Sequence, residues 1–249
     1  MTCISRATRP KSPGQAESVK SGVLYPKSAA GCIHHRFGPL QPAYHHRPVS
    51  LFSRKPPDPR VVADPRRLPP GQVLTEKWPV LHYGPVARYP ELADWRLRVS
   101  GLVDQPLSLS FDELTALPTV DIRCDIHCVT TWSRFDNVFT GVRLRDLLQR
   151  AGIQARGHFL VFHCARGFTT SIPLSLAGED DVAVVWAHDG QPLAPEHGYP
   201  LRALVPRLYF WKSAKWLEEI VVLEHDQLGF WERNGYNNGA DPWLEERYW

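Results

Sequence analysis

Two groups of residues in this chain have the types and spacing to do chemistry: a thiol closing a charged, alternating run, and an arginine followed by two closely spaced lysines. The thiol is Cys128, inside Asp121–Gly141 (DIRCDIHCVTTWSRFDNVFTG). Val120, Ile122, Cys124, Ile126 and Cys128 alternate with Asp121, Arg123, Asp125 and His127. That period of two puts the first set on the inward face of a strand and the charged set outward. From Val129 to Ser133 the alternation fails, so Cys128 stands where a buried face gives way to a loop. Such a junction is a common place for chemistry, and the thiol there is placed to bind a ligand. Along a strand, Cys124 lies roughly 13 Å from it. That is beyond the Cα separation of about 7 Å a disulfide tolerates, and too far for shared ligation of one zinc. Cys128 therefore acts alone and Cys124 is packing. A buried structural thiol is the alternative role for both.

The cations follow His197-Gly198-Tyr199-Pro200-Leu201-Arg202, with Lys212-Ser213-Ala214-Lys215-Trp216 after them. Arg202 can fork onto a phosphate, while Lys212 and Lys215 act as point charges. The Ser213 hydroxyl and the N–H groups of the Trp211–Lys215 loop complete an anion nest. On charge alone the same residues also read as a solvated basic face.

The elements that must position these groups are short. Trp95–Val99 alternates as a strand ending at Gly101. Ser110-Phe111-Asp112-Glu113 is a capping box, which predicts a helix over Phe111–Leu117 stopped near Pro118. Val142, Leu144, Leu147, Leu148 and Ala151 form a helical stripe closed by Gly152. Strands are expected at His158–Cys164, Val182–Ala187, Leu201–Val205 and Trp216–Leu223, with a short helix near Pro173–Ala177 and a turn at His188-Asp189-Gly190. Short helices among many strands indicate an α+β fold with a mixed sheet.

Charge divides the 249 residues unevenly. Residues 1–60 carry 10 Lys/Arg and 2 Asp/Glu, a balance of +8, and 9 of the 23 prolines. Residues 61–249 carry 19 and 24, a balance of −5. The first segment cannot bury enough apolar surface to offset its ordering entropy and reads as a disordered basic tail or a non-native extension. Its prolines and lack of interleaved aromatics speak against a targeting helix and against nucleic-acid binding. The working domain is then 61–249. No run of eighteen apolar residues exists, so no membrane span is expected. Five scattered cysteines form no disulfide framework, and the N-terminal stretch has neither an apolar h-region nor a twin-arginine pair. A cytoplasmic, reducing compartment is the expectation.

His127-Cys128-Val129-Thr130-Thr131-Trp132-Ser133, Thr140-Gly141-Val142 and Leu144-Arg145-Asp146-Leu147-Leu148, taken with Gly-x-Pro-x-Arg and Lys-Ser-x-Lys-Trp, resemble the sulfite-oxidase-like molybdopterin oxidoreductases. The likeness runs from about Leu74 to Trp249 and is closest to short bacterial members without haem or dimerisation domains. It implies a sulfite-oxidase-like molybdopterin-binding fold and a molybdopterin cofactor whose metal Cys128 ligates as the sole protein ligand. It implies two-electron oxygen-atom transfer on a small sulfur-containing or related substrate. His197, Arg202, Lys212, Ser213 and Lys215 carry over as cofactor contacts. His82, in Trp78–Gly84, resembles an early loop that reaches the pterin, and Thr169, in Phe168–Ser171, another contact loop; capping of the next helix is the rival role for Thr169. The closing aromatics from Gly229 to Tyr248 match the family's C-terminal end and read as packing.

Vertebrate-type sulfite oxidases carry an arginine pair shortly after the cysteine, where this chain has Val129–Ser133. The departure points away from sulfite and toward the sulfoxide-reductase branch, leaving Arg123, Arg134 and Arg166 as cations near the pocket. No haem or iron–sulfur cysteine spacing is present, so electrons pass to or from a separate donor or acceptor, a haem protein among the candidates. Two other classes stay open: a zinc protein using His127, Cys128, His163 and Cys164, and a binding protein that kept the scaffold without catalysis.

Overall fold

The computed structural model describes residues 64–249, so the basic segment expected to be disordered lies outside the described residues. The strands in chain order are β1 (Val73–Leu74), β2 (Leu97–Gly101), β3 (Leu107–Leu109), β4 (Val120–His127), β5 (Trp132–Arg143), β6 (Phe159–Cys164), β7 (Thr169–Pro173), β8 (Ala183–His188), β9 (Gln191–Pro192), β10 (Arg202–Leu204) and β11 (Leu217–Leu223). The helices are α1 (Phe111–Thr115), α2 (Leu144–Ala151), α3 (Leu174–Ala177) and α4 (Phe230–Arg233). One sheet runs β1-β5-β8-β10, with β4 on β5 and β9 on β8; the other runs β3-β2-β11-β6-β7. Both are mixed: β1 lies parallel to β5 and β11 parallel to β2, and the remaining pairs are antiparallel. The α+β expectation is met.

Local chemistry explains the elements that carry the site. The Ser110 side chain accepts from the Glu113 N–H and the Glu113 carboxylate from the Ser110 N–H, both halves of the expected box. On α2 the buried stripe is Leu144, Leu147, Leu148 and Ala151, and burying each leucine contributes about 1.5–3 kcal/mol. The helix starts two residues later than its stripe suggests, because Val142 and Arg143 are still paired to Val184 and Ala183 as the end of β5.

β5 was not legible as a strand, although it is the longest. Its pairing with β4 shifts register between Cys124 and Ile126, opposite Asp136, whose φ is 55°. A second shift against β8 falls at Gly141, where a Cβ would collide with the Val184 carbonyl oxygen. Each irregularity interrupts the alternation by which a strand is recognised.

One large core gathers inward side chains of both sheets, among them Leu97, Val99, Leu160, Phe162, Val184, Ala203, Ile220 and Val222. A smaller cluster of Ile122, Ile126, Phe139, Val185, Leu204 and Phe210 lies beneath β4 and β5. Ile122, Ile126 and Cys128 face inward as expected, and Asp121 and Arg123 are exposed. His127 departs from the pattern. It is 1% exposed, bonded through Nδ1 to the Ser133 hydroxyl at 2.8 Å, and lies edge-on to Trp243. The C-terminal segment covers the end of that outward face, which no local pattern announces.

Candidate functional site

β4 and β5 are joined by a tight turn that fixes Cys128. Its N–H donates to the Trp132 carbonyl at 2.8 Å, and its carbonyl accepts from the Thr131 N–H and the Gln72 side-chain amide, each at 3.0 Å. Thr131 closes the turn at φ 75°. The thiol, 9% exposed, lies 3.1 Å from the Thr130 hydroxyl on the wall of a cavity of about 320 Å³. Burial raises the thiol pKa, while Thr130, Arg247 and Lys215 pull it back down. Cys124 is not on this wall, and burial pushes it up to about 12.

The cavity also brings together His82, Arg202, Ser213 and Lys215. Arg202 is 1% exposed and donates to the carbonyls of His197 (2.9 Å), Ser213 (2.6 Å) and Ala203 (3.4 Å). Its guanidinium lies over the rings of Phe210 and Trp78, at 4.3 and 5.4 Å from their centroids. Lys215 donates to the carbonyls of Glu196 (2.6 Å) and Leu81 (2.8 Å). Among the described residues neither cation has a carboxylate partner, and no Asp or Glu lines the cavity. Burial lowers Arg202 to about 9; burial and then the Arg202 charge lower Lys215 to about 7. Glu196 acts on Lys215 only through its charge at a distance, and two cations held together without a direct ion pair are a costly arrangement that an anion relieves.

Gly198 allows this closeness: at φ 113°, an added Cβ would sit 3.2 Å from the Cβ atoms of both Arg202 and Lys215. Ser213 is pinned by accepting the Val205 N–H at 2.8 Å. His82 bonds the Gly84 carbonyl at 2.8 Å and meets the edge of Trp216.

Three of the residues expected at the site lie outside the cavity wall. His197 stacks on Trp78, centroids 3.9 Å apart, with its Nδ1 buried and unpartnered. Thr169 opens β7 with its hydroxyl buried and unpartnered. Lys212, 1% exposed, is bonded to the Ser171 carbonyl and Asn238, each at 2.9 Å, and to Glu232 at 2.7 Å. Glu232 also accepts from Thr170 (2.6 Å) and the Trp211 indole (3.1 Å), so the pair clamps α4 against β7. Trp231 on α4 and Tyr236 just beyond it line the cavity. They belong to the segment that the sequence reads as packing, and only the clamp, formed far along the chain, reveals their place. Of the three arginines, Arg166 lines the cavity; Arg134 is engaged by Asp189, His188 and Asn137; Arg123 is exposed.

No three His, Cys, Asp or Glu side chains converge on a possible metal position among the described residues, so the four zinc candidates are not assembled. A thiol and two cations without a direct ion pair on one wall instead fit a metal-bearing group that carries a phosphate.

Burial holds His127, His188 and His197 near a pKa of about 4, against about 6.5 in an unfolded chain. Between those values the unfolded state binds more protons, so stability falls as pH drops from about 6.5 to 4. Urea unfolding at pH 7, 5.5 and 4.5 is expected to show midpoints decreasing in that order.

Comparison with known proteins gives the family and the fold. Residues 83–231 match the family described as oxidoreductase molybdopterin binding domain. An uncharacterized oxidoreductase of Bacillus subtilis, YuiH, is 47% identical over 182 residues, covering 73% of this chain and 92% of that protein. A putative protein-methionine-sulfoxide reductase subunit of Azospira oryzae, YedZ1, is 31% identical, covering 70% and 68%. An NADH nitrate reductase of Volvox carteri is 30% identical over 75% of this chain, which spans only 28% of that enzyme. The solved structure of the sulfane dehydrogenase SoxCD from Paracoccus pantotrophus shares the fold, with a TM-score of 0.53 at 24% identity, over 60% of this chain and 42% of that one.

Proposed function

The chain belongs to the molybdopterin-binding oxidoreductase family, and on that premise we propose that it transfers an oxygen atom to or from a small sulfur-containing or related substrate, with Cys128 as the protein ligand to molybdenum. It is a molybdenum-cofactor oxidoreductase. When bound, the cofactor supplies the two-electron redox chemistry. The observation that carries the reading is the shared wall: the Cys128 thiol and the carboxylate-free cations Arg202 and Lys215 border one cavity.

Arg202, Ser213, Lys215 and His82 contact the cofactor, with the two cations taking its phosphate. His197, Thr169 and Lys212 act from behind the wall, His197 by stacking on Trp78 and Lys212 by clamping α4. Trp211, Trp231 and Tyr236 give the same cavity apolar walls that keep water out, which strengthens every charge interaction inside. Electrons pass to or from a separate partner. The free thiols of Cys124, Cys128 and Cys164 suit a cytoplasmic setting, and no helix among the described residues is long and apolar enough to cross a membrane.

The test of the reaction class is turnover by molybdenum-loaded protein. Methionine sulfoxide with reduced methyl viologen and sulfite with ferricyanide are assayed in parallel. Sulfoxide-dependent viologen oxidation is expected; no turnover with either pair contradicts oxygen transfer at sulfur.

Anion binding should depend on pH in a definite direction. With Lys215 near 7 in the free protein, a bound phosphate favours its ammonium form and raises that value. Binding above pH 7 then takes up a proton, and affinity falls as pH rises through the range between the free and bound values. Calorimetry with inorganic sulfate, a dianion that does not titrate in this range, at pH 6.5, 7.5 and 8.5 in buffers of different ionisation enthalpy, should show weakening affinity and proton uptake. Lys215→Met should flatten the profile.

A further inference from the structure

Arg166 is the cavity cation that the protein leaves unspent. Arg202 and Lys215 each donate to backbone carbonyls. Arg166 makes no hydrogen bond, ion pair or ring contact among the described residues. Its charge reaches Tyr89, whose hydroxyl is already committed to Glu218 at 2.9 Å. The residue is exposed, lines the cavity, and occupies the turn between β6 and β7 in a left-handed conformation, φ 62° and ψ 23°. Backbone bonds pin that turn: the Cys164 N–H donates to the Phe168 carbonyl and the Ala165 N–H to the Trp216 carbonyl, both at 2.9 Å. The backbone therefore fixes where the side chain leaves the turn, and no protein partner holds the guanidinium away from a ligand.

The lining it shares includes the flat apolar rings of Phe168, Trp132, Trp231 and Tyr236. With no carboxylate on the lining, a cationic ligand meets only repulsion there. A small inorganic oxyanion would exchange its hydration for a single fork and aromatic surface, an unfavourable trade. An organic anion does better, since one carboxylate accepts two parallel N–H bonds from a guanidinium while its apolar body covers the rings.

We propose that Arg166 is a specificity-determining residue that holds the carboxylate, or an equivalent anionic group, of an organic sulfur-oxide substrate whose flat apolar body lies along Phe168, Trp231 and Tyr236. The proposal rests on the reading of the Cys128 cavity as the oxygen-transfer site. In the reducing direction the reaction balances as R–S(=O)–R′ + 2 H⁺ + 2 e⁻ → R–S–R′ + H₂O, the electrons coming from a one-electron donor such as a reduced viologen used twice.

Two isosteric probes separate charge from shape: 4-(methylsulfinyl)benzoate and 4-(methylsulfinyl)benzamide. Their binding to the holoenzyme is read from quenching of tryptophan fluorescence, and their turnover from viologen oxidation. Pterin and molybdenum contents are measured on each sample. The wild type is expected to bind the benzoate about tenfold or more tightly than the benzamide. Arg166→Gln should remove that preference, raise KM for the benzoate alone, and leave benzamide binding, kcat and cofactor content within twofold. Arg166→Lys should restore part of it. Equal binding of the two probes by loaded wild type, or a preference that survives Arg166→Gln, overturns the proposal and leaves the cofactor site standing. Wild type without molybdenum and pterin overturns the underlying site reading, and the proposal with it.

Discussion

Replacing Cys128 by serine is expected to lower turnover by more than about a hundredfold, above the 10–100-fold loss typical of a group one shell out from a metal. The serine keeps the size of the side chain and can keep the 3.1 Å contact with Thr130. The backbone bonds to Trp132, Thr131 and Gln72 do not involve the sulfur at all. Stability should therefore change by about 1 kcal/mol or less, visible as a shift of a few degrees in the thermal midpoint. The combination is what discriminates. A structural thiol would lose stability and keep activity; a ligand thiol loses activity and keeps stability. Cys124→Ser is the control, since burial and the smaller core own that side chain. It should retain turnover per bound cofactor.

Arg202→Met is the second large effect. The guanidinium is the most completely buried charge on the cavity wall, and it faces three carbonyls and no carboxylate. Bound pterin should fall about tenfold or more, the scale of lost charge-assisted hydrogen bonds. Arg202→Lys should fall between wild type and Met, because one ammonium cannot serve three carbonyls and a phosphate together. The change in folding stability has two opposing parts. The carbonyls of His197, Ala203 and Ser213 lose their donor, and an unpaired buried charge is removed. Inorganic phosphate should raise the thermal midpoint of the cofactor-free wild type by mass action and raise that of Arg202→Met, which keeps Lys215, by less. Full pterin occupancy in Arg202→Met would remove Arg202 from the site.

What the sequence made legible was local. The Ser110–Glu113 box, the stripe of α2 and the end of β4 at His127 are each written within a few residues, and each is found close to where it was expected. Spacing and charge alone left Cys128 open to a structural role and Arg202 to a solvated face; the family resemblance singled them out, and the structure brings both to one cavity wall. The strand that pairs with β4 was not legible, since its register shifts at Asp136 and Gly141 break the period of two. The burial of His127 under Trp243 and the ion pair of Lys212 with Glu232 join residues far apart in the chain. Sequence placed Lys212 among the cations of an anion nest. Its partner, inside a run of aromatics, carries no local sign of reaching back to it. The same distance hid Trp231 and Tyr236, which enter the cavity only because that ion pair holds α4 in place.

The central claim is that this fold holds molybdopterin on the wall shared by Cys128, Arg202 and Lys215. The most direct test measures molybdenum by mass spectrometry and the oxidised pterin by fluorescence on one purified sample, made in cells that synthesise the cofactor. About one molybdenum and one pterin per chain is the expected result. A folded protein carrying zinc and no pterin, or neither metal nor pterin, would contradict it.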